Sequence, residues 1–107
     1  KAICATGGVA GLNMYDAFIG LNSTIDMACD HVLHFLELDP DGTHIALGGD
    51  LDGCDHLTGG FEGIQSYPAM AQKLLNRGLT EQMVQMERMV IISLTQLHKM
   101  MILLFLL

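Results

Sequence analysis

Apolar and polar positions alternate along this chain with two different periods, and the period decides which element each stretch predicts. Residues 9–15, Val-Ala-Gly-Leu-Asn-Met-Tyr, form a short apolar run that reads as a strand. A second run begins at His44 and ends abruptly in Gly48-Gly-Asp-Leu-Asp-Gly53, a buried strand running into an acidic turn. Between them, apolar residues at 25, 28, 29, 32, 33, 35 and 36 make a helical stripe over residues 25–38. Ser23 or Thr24 can cap that helix, and Asp26 suits its positive end. Asp39-Pro-Asp-Gly42 is a strong turn signal. A helix over 67–76 follows, with Ser66 as its cap, Pro68 in the first turn, Met70, Leu74 and Leu75 facing inward, and Arg77-Gly78 as its stop. Thr80 caps a further helix carrying Met83, Val84, Met86 and Val90, and residues 1–6 read as a helix end stopped by Gly7-Gly8.

The order is therefore helix end, strand, helix, strand, long loop, helix, helix. Such alternation predicts right-handed βα units on a parallel sheet. Two strands cannot make a parallel sheet covered on both faces. A complete (β/α)8 barrel needs about 250 residues, so the chain holds roughly two of eight units. On physical grounds it reads as a piece of something larger.

Composition narrows the function classes. The 107 residues suffice for one small domain, and with 50% of them hydrophobic the chain is not a disordered segment. A net charge of −7 with only five Lys and Arg argues against nucleic-acid binding and against docking on anionic lipid. Cys4, Cys29 and Cys54 are widely spaced and form no CxxC pair, which disfavours a zinc ribbon and suits reduced thiols in a cytoplasmic setting. The chain starts at Lys1 without a signal-peptide pattern, and a missing N-terminal portion is expected.

The candidate chemistry centres on Asp50 and Asp52 in the acidic turn. Parallel α/β sheets keep their sites beyond the carboxyl ends of their strands, and these acids sit there. The plain alternative is a polar turn, for which Asp and Gly are ordinary residues. Asn13 and Tyr15, two apart near the end of the first strand, point to one side and are either site-facing or routine polar positions. His31 and His34 have a spacing that can chelate a metal, against the simpler reading of a surface pair. Asp55 and His56 add ligand-type side chains in the Gly-rich loop that follows.

Three stretches in order carry a resemblance. Gly7-Gly-Val-Ala-Gly-Leu-Asn-Met-Tyr15, then Gly48-Gly-Asp-Leu-Asp-Gly53, then Tyr67-Pro with Leu74-Leu-Asn-Arg-Gly-Leu-Thr-Glu81, resemble the C-terminal part of the membrane dipeptidase (renal dipeptidase) family, peptidase family M19. The resemblance covers residues 1 to about 86. It implies an α/β fold, the last two βα units and following helix of a (β/α)8 TIM barrel of the metal-dependent amidohydrolase type. It implies hydrolysis of dipeptides by a hydroxide held between two zinc ions. The family's metal ligands, a His-x-Asp pair, a bridging Glu and two later His, all precede the stretch matching Lys1, so no metal ligand is assigned here. His31, His34, His44 and His56 do not match those positions. Asp50 matches the family's proton acceptor and substrate contact on the eighth strand. Tyr15 matches a pocket-lining tyrosine, with Asn13 beside it on the substrate side, and Asp52 supports the turn or the site from behind. The implied partner is a dipeptide in the complete enzyme, and the resemblance leaves a homodimer open.

Two departures qualify this. Leu51 stands where the family has Phe, and after Met86 the family's Gly-Asn pair and Arg are missing. Residues 87–107 instead form an atypical apolar helical tail, which a reading-frame shift near residue 87 would explain. Gln96, His98 and Lys99 interrupt it, and the unbroken run of 100–107 is shorter than the about 20 residues a bilayer span requires. With the zinc ligands absent, the isolated chain is expected to be inactive. The alternative is a non-catalytic binding or membrane-associated module. It would hold a hard cation on Asp50, Asp52 and Asp55 and dock through the tail, although no Glu completes an EF-hand spacing.

Overall fold

The computed structural model describes residues 1–84. Helix α1 (Ala2–Ala5) stops where Gly7 adopts a φ of +71° and the Gly8 N–H donates to Ile3 O at 3.1 Å. Strand β1 (Ala10–Asn13) leads through Tyr15 into α2 (Asp16–Ile19), a single turn that the hydrophobic pattern did not announce. Then follow α3 (Ile25–Leu36), β2 (Ile45–Gly49), a 3-10 turn (Ile64–Ser66), α4 (Tyr67–Asn76) and α5 (Glu81–Val84). The expected tail at 87–107, and Met86 and Val90, lie outside the described residues.

Strands β1 and β2 pair in parallel, joined through α3, which gives the mixed α/β arrangement expected from the alternation. The apolar stripe of α3 buries Ala28, Cys29 and Val32. They meet Ile45 and Leu47 of β2 and Met70 and Leu74 of α4 in one core that also holds Met14 and Phe61. Alternation along β2 sends Ile45 and Leu47 to the same face. Met70 and Leu74 lie one turn apart on α4 and are completely buried.

Helices α3 and α4 are also tied at their surface. Lys73 and Arg77, one turn apart, face Asp26 and Asp30, also one turn apart. Lys73 Nζ lies 2.9 Å from Asp26 Oδ2, Arg77 Nη2 lies 2.9 Å from Asp26 Oδ1, and Arg77 Nη1 meets Asp30 Oδ1. The Lys73 hydrogen bond, then that of Arg77, hold the Asp26 carboxyl below its usual value against its partial desolvation. Exposed pairs contribute little singly, so the buried core dominates this contact.

The caps divide. Thr24 Oγ1 accepts from Met27 N at 3.3 Å, and Thr80 Oγ1 from Met83 N at 3.2 Å, as the sequence suggests. Ser66 precedes α4 but does not cap it: the 3-10 turn holds its backbone in helical conformation, and its hydroxyl accepts from Glu62 N at 2.8 Å instead. Helix α3 ends two residues earlier than expected, ahead of the turn at Asp39-Pro40. There the buried Asp39 carboxylate accepts from His44 N at 2.7 Å. His44 Nδ1–H donates to Gly8 O at 2.8 Å, fastening the start of β2 to the segment before β1. Among the described residues, no helix is long and apolar enough to cross a membrane.

Candidate functional site

The carboxyl ends of the two strands build a corner by a sequence of backbone departures. Pairing runs in register from Ala10↔Ile45 to Leu12↔Leu47, then slips so that Asn13 opposes Gly49. Gly48 is the extra residue, and such an insertion re-aims the strand that carries it. Gly49 then turns at a φ of +75°, and the Asp50 N–H donates back to Gly48 O at 3.0 Å, closing a three-residue turn. Asp50 itself lies at a φ of +58°, a conformation that Asp tolerates better than most residues. Met14 N donates to Gly49 O at 2.9 Å and binds the turn to β1.

This geometry brings Asn13 and Asp50 together. Asn13 Nδ2 donates to Asp50 Oδ2 at 2.9 Å, while Asn13 Oδ1 accepts from Tyr15 N at 2.7 Å. The other carboxylate oxygen, Asp50 Oδ1, occupies the space where a side chain at Gly53 would begin, so any side chain there would have to displace the carboxylate. The turn is closed by donation from Gly53 N at 3.3 Å and Cys54 Sγ at 3.3 Å, both to Asp50 O. Asp52 lies exposed beside it, and the bonds closing the turn come from these other groups.

The loop after β2 folds back over the end of β1. Asp16 N donates to His56 O at 3.2 Å, and Thr58 donates twice to Met14 O, from N at 2.8 Å and from Oγ1 at 3.0 Å. Thr58 is wholly buried. Partial desolvation raises the Cys54 thiol, and the charges of Asp50, Asp16 and Asp55 raise it further, which marks the corner as acidic. Tyr67 approaches from the helix side. Its ring stacks edge-on against Phe61 at 4.9 Å, and its hydroxyl fills the position of a side chain at Gly49. Burial raises its phenol above the usual value. The sequence flagged Tyr67 only through the Tyr-Pro pair. Tyr15 is partly buried next to the corner, its ring edge-on to Phe18 at 5.0 Å.

The remaining candidates are kept apart. His31 Nε2–H donates to Ile19 O at 2.9 Å, and His34 pairs through Nδ1 with Glu37 at 3.1 Å, so the two rings serve different partners. Asp55 and His56 are exposed. Among the described residues no group of three or more His, Cys, Asp or Glu could hold a metal ion. The donor set of the corner, one carboxylate already bonded to an amide, does not fit a zinc site by itself, since zinc takes three or four ligands. What the corner offers is a solvent-facing carboxylate held in a fixed orientation, suited to accepting a proton or an ammonium group.

The sequence pattern of the membrane dipeptidase family (peptidase family M19) matches residues 1–88. An uncharacterized dipeptidase of Schizosaccharomyces pombe is 41% identical over 78 residues, covering 70% of this chain and 19% of the relative. A second uncharacterized dipeptidase of the same yeast is 36% identical over 75 residues, covering 66% of this chain and 18% of the relative. The chain thus spans about one fifth of the length of these relatives. No solved structure matches it significantly.

Proposed function

Because the chain belongs to the membrane dipeptidase family (peptidase family M19), we propose that it is the C-terminal segment of a zinc-dependent dipeptidase built as a (β/α)8 barrel. Strands β1 and β2 are then the seventh and eighth strands. Residues 1–86 are the barrel portion and 87–107 an apolar tail, of which residues 87 and 88 still fall within the family match. Zinc would supply Lewis-acid chemistry when bound, on ligands expected upstream of this stretch. The contribution of this chain is the corner. Asp50 accepts a proton during attack on the peptide carbonyl and contacts the substrate amine, Tyr15 lines the pocket, and Asn13 stands beside Asp50. Asp52 stays at the rim of the turn. The substrate is a dipeptide.

The reading is supported most by the coincidence of the family match over residues 1–88 with the placement of Asp50 at the carboxyl end of a parallel strand. Sites of parallel α/β folds lie at that end.

The isolated chain is expected to hydrolyse no dipeptide. Supplied in trans to a relative from which the matching segment has been removed, it is expected to restore zinc-dependent dipeptide hydrolysis. If the relative's own segment restores activity in that assay and this chain, bound equally well, does not, the reading is wrong. Hydrolysis by the isolated chain would also contradict it.

A further inference from the structure

Two hydrogen bonds at Asn13 have a joint consequence that neither has alone. The main-chain N–H of Tyr15 can only donate, so the Asn13 atom it meets at 2.7 Å must be the carbonyl oxygen. That fixes which way round the amide lies. Its NH2 group is turned away from the Tyr15 main chain and reaches Asp50 Oδ2 at 2.9 Å. On its other side Oδ1 lies in the space that a Cβ at Gly53 would take, so the glycine leaves room for this orientation of the carboxylate. Asp50 stays solvent-exposed, and its backbone is fixed by the turn at Gly48–Gly49.

We infer that Asn13 is a positioning residue for Asp50: oriented by Tyr15, its amide holds Oδ2 and leaves Oδ1, over Gly53, as the oxygen that takes the proton. This rests on the proposed role of Asp50 and deepens it. Asn13 acts through Asp50 and makes no contribution of its own to substrate affinity. Tyr15 has two separable roles in consequence, its main chain orienting Asn13 and its ring lining the pocket.

The test uses a full-length member of the family that carries the same Asn and Asp, with substitutions written in the present numbering. Asn13→Asp keeps an oxygen for the Tyr15 N–H and removes the donor to Asp50, while Asn13→Ala removes both. Loss of such a supporting partner costs about 10- to 100-fold in activity, and here it falls on kcat with KM within about twofold. In the Asp50→Asn background, either Asn13 substitution costs nothing further. A rise in KM, or losses that multiply in the double variants while Asp50→Asn alone lowers turnover about 10²- to 10⁴-fold, overturns this inference and leaves the proposed function standing. Wild-type kcat in Asp50→Asn overturns both. A measurement on this chain itself covers the case of a variant that misfolds. In the full 107-residue chain, the Asn13 side-chain NH2 protons, followed by NMR, are expected to exchange with solvent faster in Asp50→Ala than in the wild type. Unchanged exchange shows that the amide is not held by Asp50 and contradicts the inference.

Discussion

The amide of Asn13 donates to the carboxylate of Asp50 at 2.9 Å across 37 positions of sequence, linking the end of one strand to the turn after its parallel neighbour. The link depends on backbone features. The slip at Gly48, the turn at Gly49 and the left-handed conformation of Asp50 together aim the carboxylate at β1. The corner therefore belongs to both strands.

Gly53→Ala places a methyl group onto Asp50 Oδ1. Overpacking of this kind costs about 1–3 kcal/mol unless the carboxylate swings away. Urea titration of the full chain is expected to show that loss or, if stability is kept, NMR exchange is expected to show faster exchange of the Asn13 side-chain amide. Stability and amide exchange both unchanged would contradict the placement of Oδ1.

Gly49→Ala collides with the Tyr67 hydroxyl at 2.6 Å and strains a φ of +75°. Tyr67→Phe removes the collision and not the strain. The double variant is expected to be more stable than the sum of the two single losses, by about 0.5–3 kcal/mol in a double-mutant cycle. Strict additivity would show that the hydroxyl does not press on the turn.

The lowered Asp26 pKa makes the α3–α4 contact pH-dependent. A carboxyl depressed in the folded state adds stability above its ordinary value of 3.8, and that stability is lost as the pH falls through the folded value. Denaturant midpoints of the wild type and Asp26→Asn should differ at neutral pH and converge in acid below that value. A gap that persists there would remove the ion-pair explanation.

Met70→Ala and Leu74→Ala empty fully buried positions and should each cost about 2–5 kcal/mol by denaturant unfolding. Leu21→Ala, at a residue 91% exposed, should stay within about 0.5 kcal/mol of the wild type. Equal effects at the three sites would deny the core its place.

Much of this was legible in the chain because it is local. The stripe of α3, the Thr24 and Thr80 caps, the Asp39–Gly42 turn and the inward face of α4 follow from residues within a turn or two of each other. Ser66 misled because its hydroxyl prefers a nearby loop amide once a 3-10 turn precedes the helix. The pairing of Asp26 with Lys73 and Arg77 depends on how two helices are laid together, which no local pattern specifies. The same holds for Asn13 and Asp50, whose contact is set by strand register and by one extra glycine. The return of Thr58 over Met14 was hidden because a Gly-rich loop carries no periodicity.

Asp50 is proposed to accept the proton in dipeptide hydrolysis, and Asp50→Asn in a full-length family member is the direct test of that role. Asparagine keeps the size of the side chain and cannot accept the proton. Turnover is predicted to fall about 10²- to 10⁴-fold with zinc content unchanged. Turnover at the wild-type level, with zinc retained, would contradict the claim.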